Sequence, residues 1–239
     1  RLILQLIIIT FSVYVASVYV SYTRVVFLDF LLKDKIFQIF FTTFCVLIIV
    51  NGSNFIDGVN SLSIGYFLII LFVIFNLGSH GIDTGSYLNI SNLFQILIVL
   101  FIFNVFNKLY LGDSGSYLLG LLFSIFLIEI HQINSNISPF FIISLLWYPA
   151  FENLFSIIRK KVKKINPTNP DTDHLHQLIF KSLNKKNFIN YANQTTSILI
   201  ILYNAFIFFI SINYITKTNL IVSLIIFNVI IYLGIYFIL

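Results

Sequence analysis

Apolar residues run through this chain in eight long stretches, at 2–20, 36–50, 62–77, 92–105, 117–130, 139–158, 197–214 and 219–239. Short polar turns separate them, and one long polar segment lies at 159–196. Within the stretches the apolar positions are continuous. They do not alternate as the strands of a membrane barrel do. A membrane-crossing helix needs about 20 residues, or about 17 at the short end, so the shorter stretches must draw on their flanks or be irregular. The pattern predicts an all-α, polytopic transmembrane helical bundle of about eight spans, a single domain over 1–239.

Composition removes the soluble alternative. Of 239 residues, 59% are apolar and 10% are charged, against about 25% charged in a typical soluble domain. The net charge of +5 is not a nucleic-acid signal, because eight of the fourteen Lys and Arg residues sit in the one segment 159–196, between apolar runs. That is the mark of a cytoplasmic loop. A cytoplasmic N-terminus puts Arg1, Lys108 and those eight inside, and leaves Arg24, Lys33, Lys35 and Lys217 outside. Parity then places the turns at 51–61, 106–116 and 159–196 on one cytoplasmic face. The outward connections carry no chemistry: 21–35 is expected to hold a short extended piece. The 78–91 connection, with His80 and Asp83, reads as a solvated loop, and His131 beside Glu129 reads as a helix end. Cys45, the one cysteine, excludes an internal disulfide and reads as a packing residue. No internal repeat and no cleavable signal peptide are evident.

The three inward turns hold the polar chemistry. In NGSNFIDGVNSL, residues Asn51, Asn54, Asp57 and Asn60 recur every three positions, a spacing that shares one helical face. An acid between apolar spans is costly unless solvated or bound, which favours function over a hydrated loop. In KLYLGDSGSYLLG, Asp113 lies between Gly112 and Gly115. A turn there, entering a helix that starts near Tyr117, aims free N–H groups at an anion. In DTDHLH, His174 and His176 follow Asp171 and Asp173. That spacing fits a metal ligand or a phosphate donor equally, and Pro167 and Pro170 predict an extended approach. Carboxylates from separate turns suit Mg²⁺ or Mn²⁺. With cationic and imidazole donors nearby they point to phosphoryl transfer at a membrane surface.

These three turns, in this order, resemble the polyprenyl-phosphate N-acetylhexosamine-1-phosphate transferases, a superfamily that includes the phospho-MurNAc-pentapeptide translocase. NFIDGVNSL is similar to that family's Asn-x-x-Asp-Gly-x-Asp/Asn-Gly-Leu element. LGDSGSYLLG is similar to its Gly-Asp-x-Gly-Ser-x-x-x-Gly element, and PDTDHLHQLI to its His-x-His loop. The resemblance implies transfer of an N-acetylhexosamine 1-phosphate from a UDP-sugar to polyprenyl (undecaprenyl) phosphate, releasing UMP, with Mg²⁺ or Mn²⁺ as cofactor. It implies Asp113 as metal ligand and, with Asp57, catalytic residue. Asn54 and Asn60 would line the cleft, Lys108 would contact phosphate or nucleotide, and His174 and His176 would hold the diphosphate. It implies a bacterial inner membrane enzyme with a cytoplasmic active face, able to pair as a homodimer, making a lipid-linked sugar for O-antigen, capsule or other envelope glycan. His-Leu-His-Gln favours this branch over the peptidoglycan translocase, which usually carries three histidines in a row.

The chain also departs from the family. It has no Asp-Asp pair, an element the family carries on an earlier cytoplasmic loop, and RLILQLIII resembles the stretch that follows that loop. The resemblance therefore implies a chain without its first spans, and little activity from it alone. Ser61 stands where the family usually has Gly, and Gln177 where many members have His. The Asn expected about ten residues before Asp113 matches Asn104 only with a one-residue gap. Two rivals stay open: a transporter, which favours acids at mid-span, and a non-catalytic paralogue.

Overall fold

The computed structural model describes residues 2–79, 81–84, 89–164, 166, 173–185 and 191–239. Among these residues there are eleven helices and no strand. They are α1 (Leu2–Ala16), α2 (Val26–Leu31), α3 (Lys35–Ile56), α4 (Leu62–Ser79), α5 (Ile90–Val105), α6 (Gly112–Ile133), α7 (Pro139–Leu145), α8 (Trp147–Val162), α9 (Leu175–Lys185), α10 (Ala192–Ile212) and α11 (Thr218–Ile238). Helices α3, α6, α10 and α11 are long and apolar enough to cross a bilayer, and α7 with α8 are so only when taken together, bent by 76° at their junction. The shorter apolar helices α1, α4 and α5 account for the remaining predicted stretches. The chain is a multi-pass helical membrane protein.

Helix α3 is the hub, packed against α1, α6 and α8. Two glycines permit the closest crossings. A Cβ on Gly52 would run into the Pro149 carbonyl of α8. One on Gly120 of α6 would lie 2.7 Å from Ser53 Oγ and 2.9 Å from Val50 Cα. With no hydrophobic drive between helices in lipid, such close backbone packing is a main source of association. Helix α4, between α5 and α10, carries the most enclosed side chains, among them Tyr66, Phe67 and Ile70. Buried polar pairs tie the later helices together: Trp147 Nε1 donates to Asn204 Oδ1 at 2.8 Å, and Tyr203 Oη to Asn228 Oδ1 at 2.7 Å.

The stretch 139–158, read as one continuous span, is broken at Leu146. Pro149 is the cause: it has no N–H for the carbonyl of Leu145, four residues back, and its ring crowds that carbonyl. The stranded acceptor is satisfied across the bundle. Tyr66 Oη donates to the Leu145 carbonyl at 2.7 Å and receives the Tyr148 N–H at 3.4 Å.

Other boundaries also differ from expectation. The 21–35 connection holds the short helix α2 rather than an extended piece. The polar segment 159–196 begins with the end of α8, contains α9, and ends with the start of α10. Lys163 and Asp173 bridge it with an exposed ion pair of 2.8 Å. Arg1, His80, Pro167, Pro170 and Asp171 lie outside the described residues. Glu129 and His131 are the buried last turns of α6, in keeping with a helix end.

The two ends of the bundle are both polar, and each gathers the turns that parity assigned to it. At one end Arg24 donates to the Thr216 and Asn136 carbonyls, each at 3.0 Å, and to Thr218 Oγ1 at 2.8 Å. Ser138 N–H meets the Ile215 carbonyl there at 2.8 Å. The other end holds the candidate site.

Candidate active site

The first polar turn is shorter than its sequence pattern implies, because α3 continues to Ile56 and Asp57 is its C-cap. Asn51 turns back on its own helix, donating to the Leu47 carbonyl at 2.9 Å. The expected row of four is therefore broken up: Asn54 and Asp57 close α3, and Asn60 lies beyond the helix, in the turn before α4. The second turn is also shorter. Helix α6 opens at Gly112, at φ +66, five residues before the expected start at Tyr117. Asp113 thus sits in a helical first turn, where the aligned peptide dipoles favour negative charge.

These two turns meet. Asn54 Nδ2 donates to Asp113 Oδ1 at 2.8 Å and to Ser116 Oγ at 3.2 Å. The Gly112 N–H bonds to the Asp57 carboxylate. Partial burial first, and then the charge of neighbouring Asp113, push the Asp57 carboxyl up to about 7, with the Gly112 N–H opposing them. Asp113 is exposed while Asp57, Asn54 and Asn60 are half-buried. The acidic pair therefore opens to solvent.

A buried asparagine fixes the spacing. Asn104 Oδ1 accepts the Ser61 N–H, and its Nδ2 donates to the Leu109 carbonyl at 2.5 Å. Asn104 is the residue that matched the family's second element only with a gap. Here it clasps the first turn to the connection leading into the second. Asn60 is held as firmly: its side chain donates to Asn107 Oδ1, its N–H to Asn193 Oδ1 at 2.9 Å, and its carbonyl accepts from Ser197 Oγ. Ser61 itself sits at φ +73, a left-handed conformation costly for a side-chain-bearing residue. That conformation is the physical reason a glycine suits the position. Lys108 is exposed on the same connection as Asn107.

The histidines reach the site from the third segment, but not as surface groups. His174 is 3% exposed and His176 is fully buried. Their rings stack at 5.6 Å, 8° from parallel. His174 also packs against Phe55, at the end of α3, at 4.9 Å. A Cβ on Gly58 would lie 2.9 Å from His176 Nε2, so the third segment closes directly on the first turn. Burial draws the His176 pKa below its usual value, so the ring is neutral at pH 7. Glu152 of α8, which sequence reasoning passed over, anchors both rings: its Oε2 lies 2.9 Å from His174 Nδ1 and its Oε1 3.7 Å from His176 Nδ1. The signal was present: Glu152 is the one acid inside the apolar stretch 139–158, and an intramembrane acid is a functional residue by default.

The donor set fits a hard divalent cation. Among the described residues no three His, Cys, Asp or Glu side chains gather as a ready-made metal site. The Asp57–Asp113 pair nonetheless places two carboxylates close enough to raise one of them, and Asn54 orients Asp113. A cation that keeps several waters and takes phosphate ligands needs only one or two protein carboxylates.

The family model "Glycosyl transferase family 4" matches residues 1–131, a range that holds Asn54, Asp57, Asn60, Lys108 and Asp113 but not the histidines. The chain is 28% identical over 169 residues to a decaprenyl-phosphate N-acetylglucosaminephosphotransferase of Mycolicibacterium smegmatis, covering 62% of this chain and 42% of that protein. It is 33% identical over 135 residues to a probable undecaprenyl-phosphate N-acetylglucosaminyl 1-phosphate transferase of Bacillus subtilis, covering 54% and 36%. It is 27% identical over 152 residues to the undecaprenyl-phosphate alpha-N-acetylglucosaminyl 1-phosphate transferase of Escherichia coli K12, covering 61% and 41%. The chain thus spans less than half the length of these relatives. No solved structure matches. With the matched family region running over more than half its length and the two acidic turns of that region meeting in space, the chain belongs to glycosyl transferase family 4.

Proposed function

We propose that the complete protein transfers an N-acetylhexosamine 1-phosphate from a UDP-sugar to a polyprenyl phosphate at the cytoplasmic face of the bacterial inner membrane. An oxygen of the lipid phosphate attacks the sugar-bearing phosphorus of the nucleotide sugar. The bond from that phosphorus to the bridging oxygen breaks, and UMP leaves. The product is a lipid-linked diphosphate sugar of the kind used for O-antigen, capsule or other envelope glycans. The observation that carries this reading is the meeting of Asp57 and Asp113, from two separate turns, at an open polar end of an apolar bundle.

Asp113 and Asp57 would hold Mg²⁺ (or Mn²⁺), which when bound offsets the charge of the diphosphate. Asn54 keeps Asp113 turned toward the cleft through its 2.8 Å hydrogen bond. Asn60 and Asn104 hold the two turns in register. Lys108, exposed beside them, would meet a phosphate or the nucleotide. His174 and His176 would face the diphosphate through the first turn. Their near-complete burial requires that they act at short range from a fixed position, not as mobile surface donors.

The test is Asp113→Asn in the complete protein, embedded in membrane, assayed for metal-dependent release of UMP from a UDP-N-acetylhexosamine with polyprenyl phosphate. Loss of UMP release, by about 10²-fold or more as for other groups that act on transition-state charge, is expected. Near-normal turnover would overturn the assignment.

A further inference from the structure

We infer that Glu152 is a positioning residue that locks the His-x-His segment against the Asp57 turn, with Tyr148 one helical turn earlier as its second anchor. The inference rests on the transferase reading only for its kinetic readout; its geometry stands independently.

Glu152 is completely buried on a span of apolar residues. An unpaired carboxylate there costs several kcal/mol, so its partners define its role. Oε2 faces His174 Nδ1 at 2.9 Å, Oε1 accepts the Leu175 N–H at 3.2 Å, and Oε1 stands 3.7 Å from His176 Nδ1. Tyr148 Oη lies 3.4 Å from that same His176 nitrogen. One carboxylate thus holds the start of α9 by a backbone amide and sets the orientation of two rings.

The orientation has a chemical consequence. A carboxylate accepts hydrogen bonds, so His174 Nδ1 carries the hydrogen. Both rings, nearly parallel, turn Nδ1 toward Glu152 and therefore Nε2 away from it. His176 Nε2 meets the turn after α3: it faces Gly58, is buried, and has no hydrogen-bond partner among the described residues. A carboxylate setting the tautomer of a working imidazole is a common supporting device.

The anchor can reach this far because the span is broken. The bend at Leu146 tilts α8, Tyr66 bonds both sides of the break, and Asn153 Nδ2 fastens α8 to the Ile48 carbonyl of α3 at 3.0 Å. Tyr148 and Glu152, four residues apart and so on one helical face, then both point at the histidines. A straight helix through Pro149 would not present this pair at the same place.

The experiment uses the complete protein in membrane, with Cys45→Ala and Gln177→Cys as background, and Glu152→Gln, Glu152→Asp and Tyr148→Phe added singly. Gln177 lies beside Gly58, so its thiol reports whether the segment is seated. With a water-soluble maleimide, labelling of position 177 is expected to speed up about 10-fold or more in Glu152→Gln, and less in Tyr148→Phe. In UMP release, Glu152→Gln is expected to raise KM for the UDP-sugar about 10- to 100-fold, as for lost supporting partners elsewhere, with a smaller change in kcat. Glu152→Asp is expected to restore part of it. Labelling and KM both unchanged in Glu152→Gln would overturn the inference while leaving the transferase reading intact. Faster labelling in a protein whose unsubstituted form releases no UMP would support the lock and overturn the transferase reading instead.

Discussion

Two residues of the first turn make opposite physical statements. Ser61 sits in a left-handed conformation that costs a side-chain-bearing residue about 1–2 kcal/mol relative to glycine. It is held there by Asn104 and by the packing around it. Ser61→Gly is therefore expected to raise stability by about 1 kcal/mol, seen as a higher midpoint in thermal unfolding, with turnover retained; a lower midpoint would refute the strain. Gly58 is the reverse case, since any Cβ meets the His176 ring at 2.9 Å. Gly58→Ala should cost about 1–3 kcal/mol as an overpacking change and depress UMP release. Unchanged stability and activity would mean that the ring moves aside freely.

The same turn predicts a pH dependence. Asp57 titrates at about 7 in the folded chain, against 3.8 ordinarily. Between those values the native state keeps a proton that the unfolded chain has lost, so stability falls as pH rises through that window and levels off above it. In chelator, the thermal midpoint should be lower at pH 8 than at pH 5. Asp57→Asn should flatten that slope. A midpoint insensitive to pH in both proteins would remove the claim that burial, with Asp113 beside it, raises the Asp57 carboxyl.

At the scale of elements, the decisive feature is the broken span. Pro149 alone announces a kink, but nothing in the local sequence says which way α8 leaves it. Tyr66, in a different helix, supplies the hydroxyl that the Leu145 carbonyl lacks. Tyr66→Phe strands that buried acceptor and should cost about 1–3 kcal/mol, and more in maleimide access at position 177 than its distance from the site would predict. Fold changes confined to stability, with position 177 still shielded, would separate the break from the seating of α9. The start of α6 tells a similar story. Gly112 read as a turn residue, yet the helix begins there, because Asp57 accepts its N–H and Asn54 holds Asp113. Neither partner is near it in sequence.

At the scale of the whole molecule, the chain is a bundle with two polar ends that do different work. One end is sewn together by Arg24 and the 134–138 and 213–218 turns. The other holds Asp57, Asp113, Glu152 and the His174–His176 pair, with most of the basic residues. Cysteines placed singly at 113 and 181, both exposed, should react with an impermeant thiol reagent from the cytoplasmic side. One at exposed position 217 should react from the opposite side. Labelling of 113 and 217 from the same side would break the topology on which the proposed function stands.

The sequence by itself determined the class and which turns share a face. Those depend on hydropathy, charge and parity, which accumulate along the chain and need no partner. It also identified Asn54, Asp57, Asn60 and Asp113 as a group, because the unfavourable transfer of acids and amides into lipid leaves few places for them. What only the tertiary structure decided was how that group is held: Asn104 bridging two turns, Glu152 seating two histidines from a bent helix, and the burial of those histidines. Each is a contact between residues distant in sequence, fixed by where helices cross. Helix crossing depends on small residues meeting the right backbone, as Gly52 meets Pro149, and no local pattern records which backbone that will be.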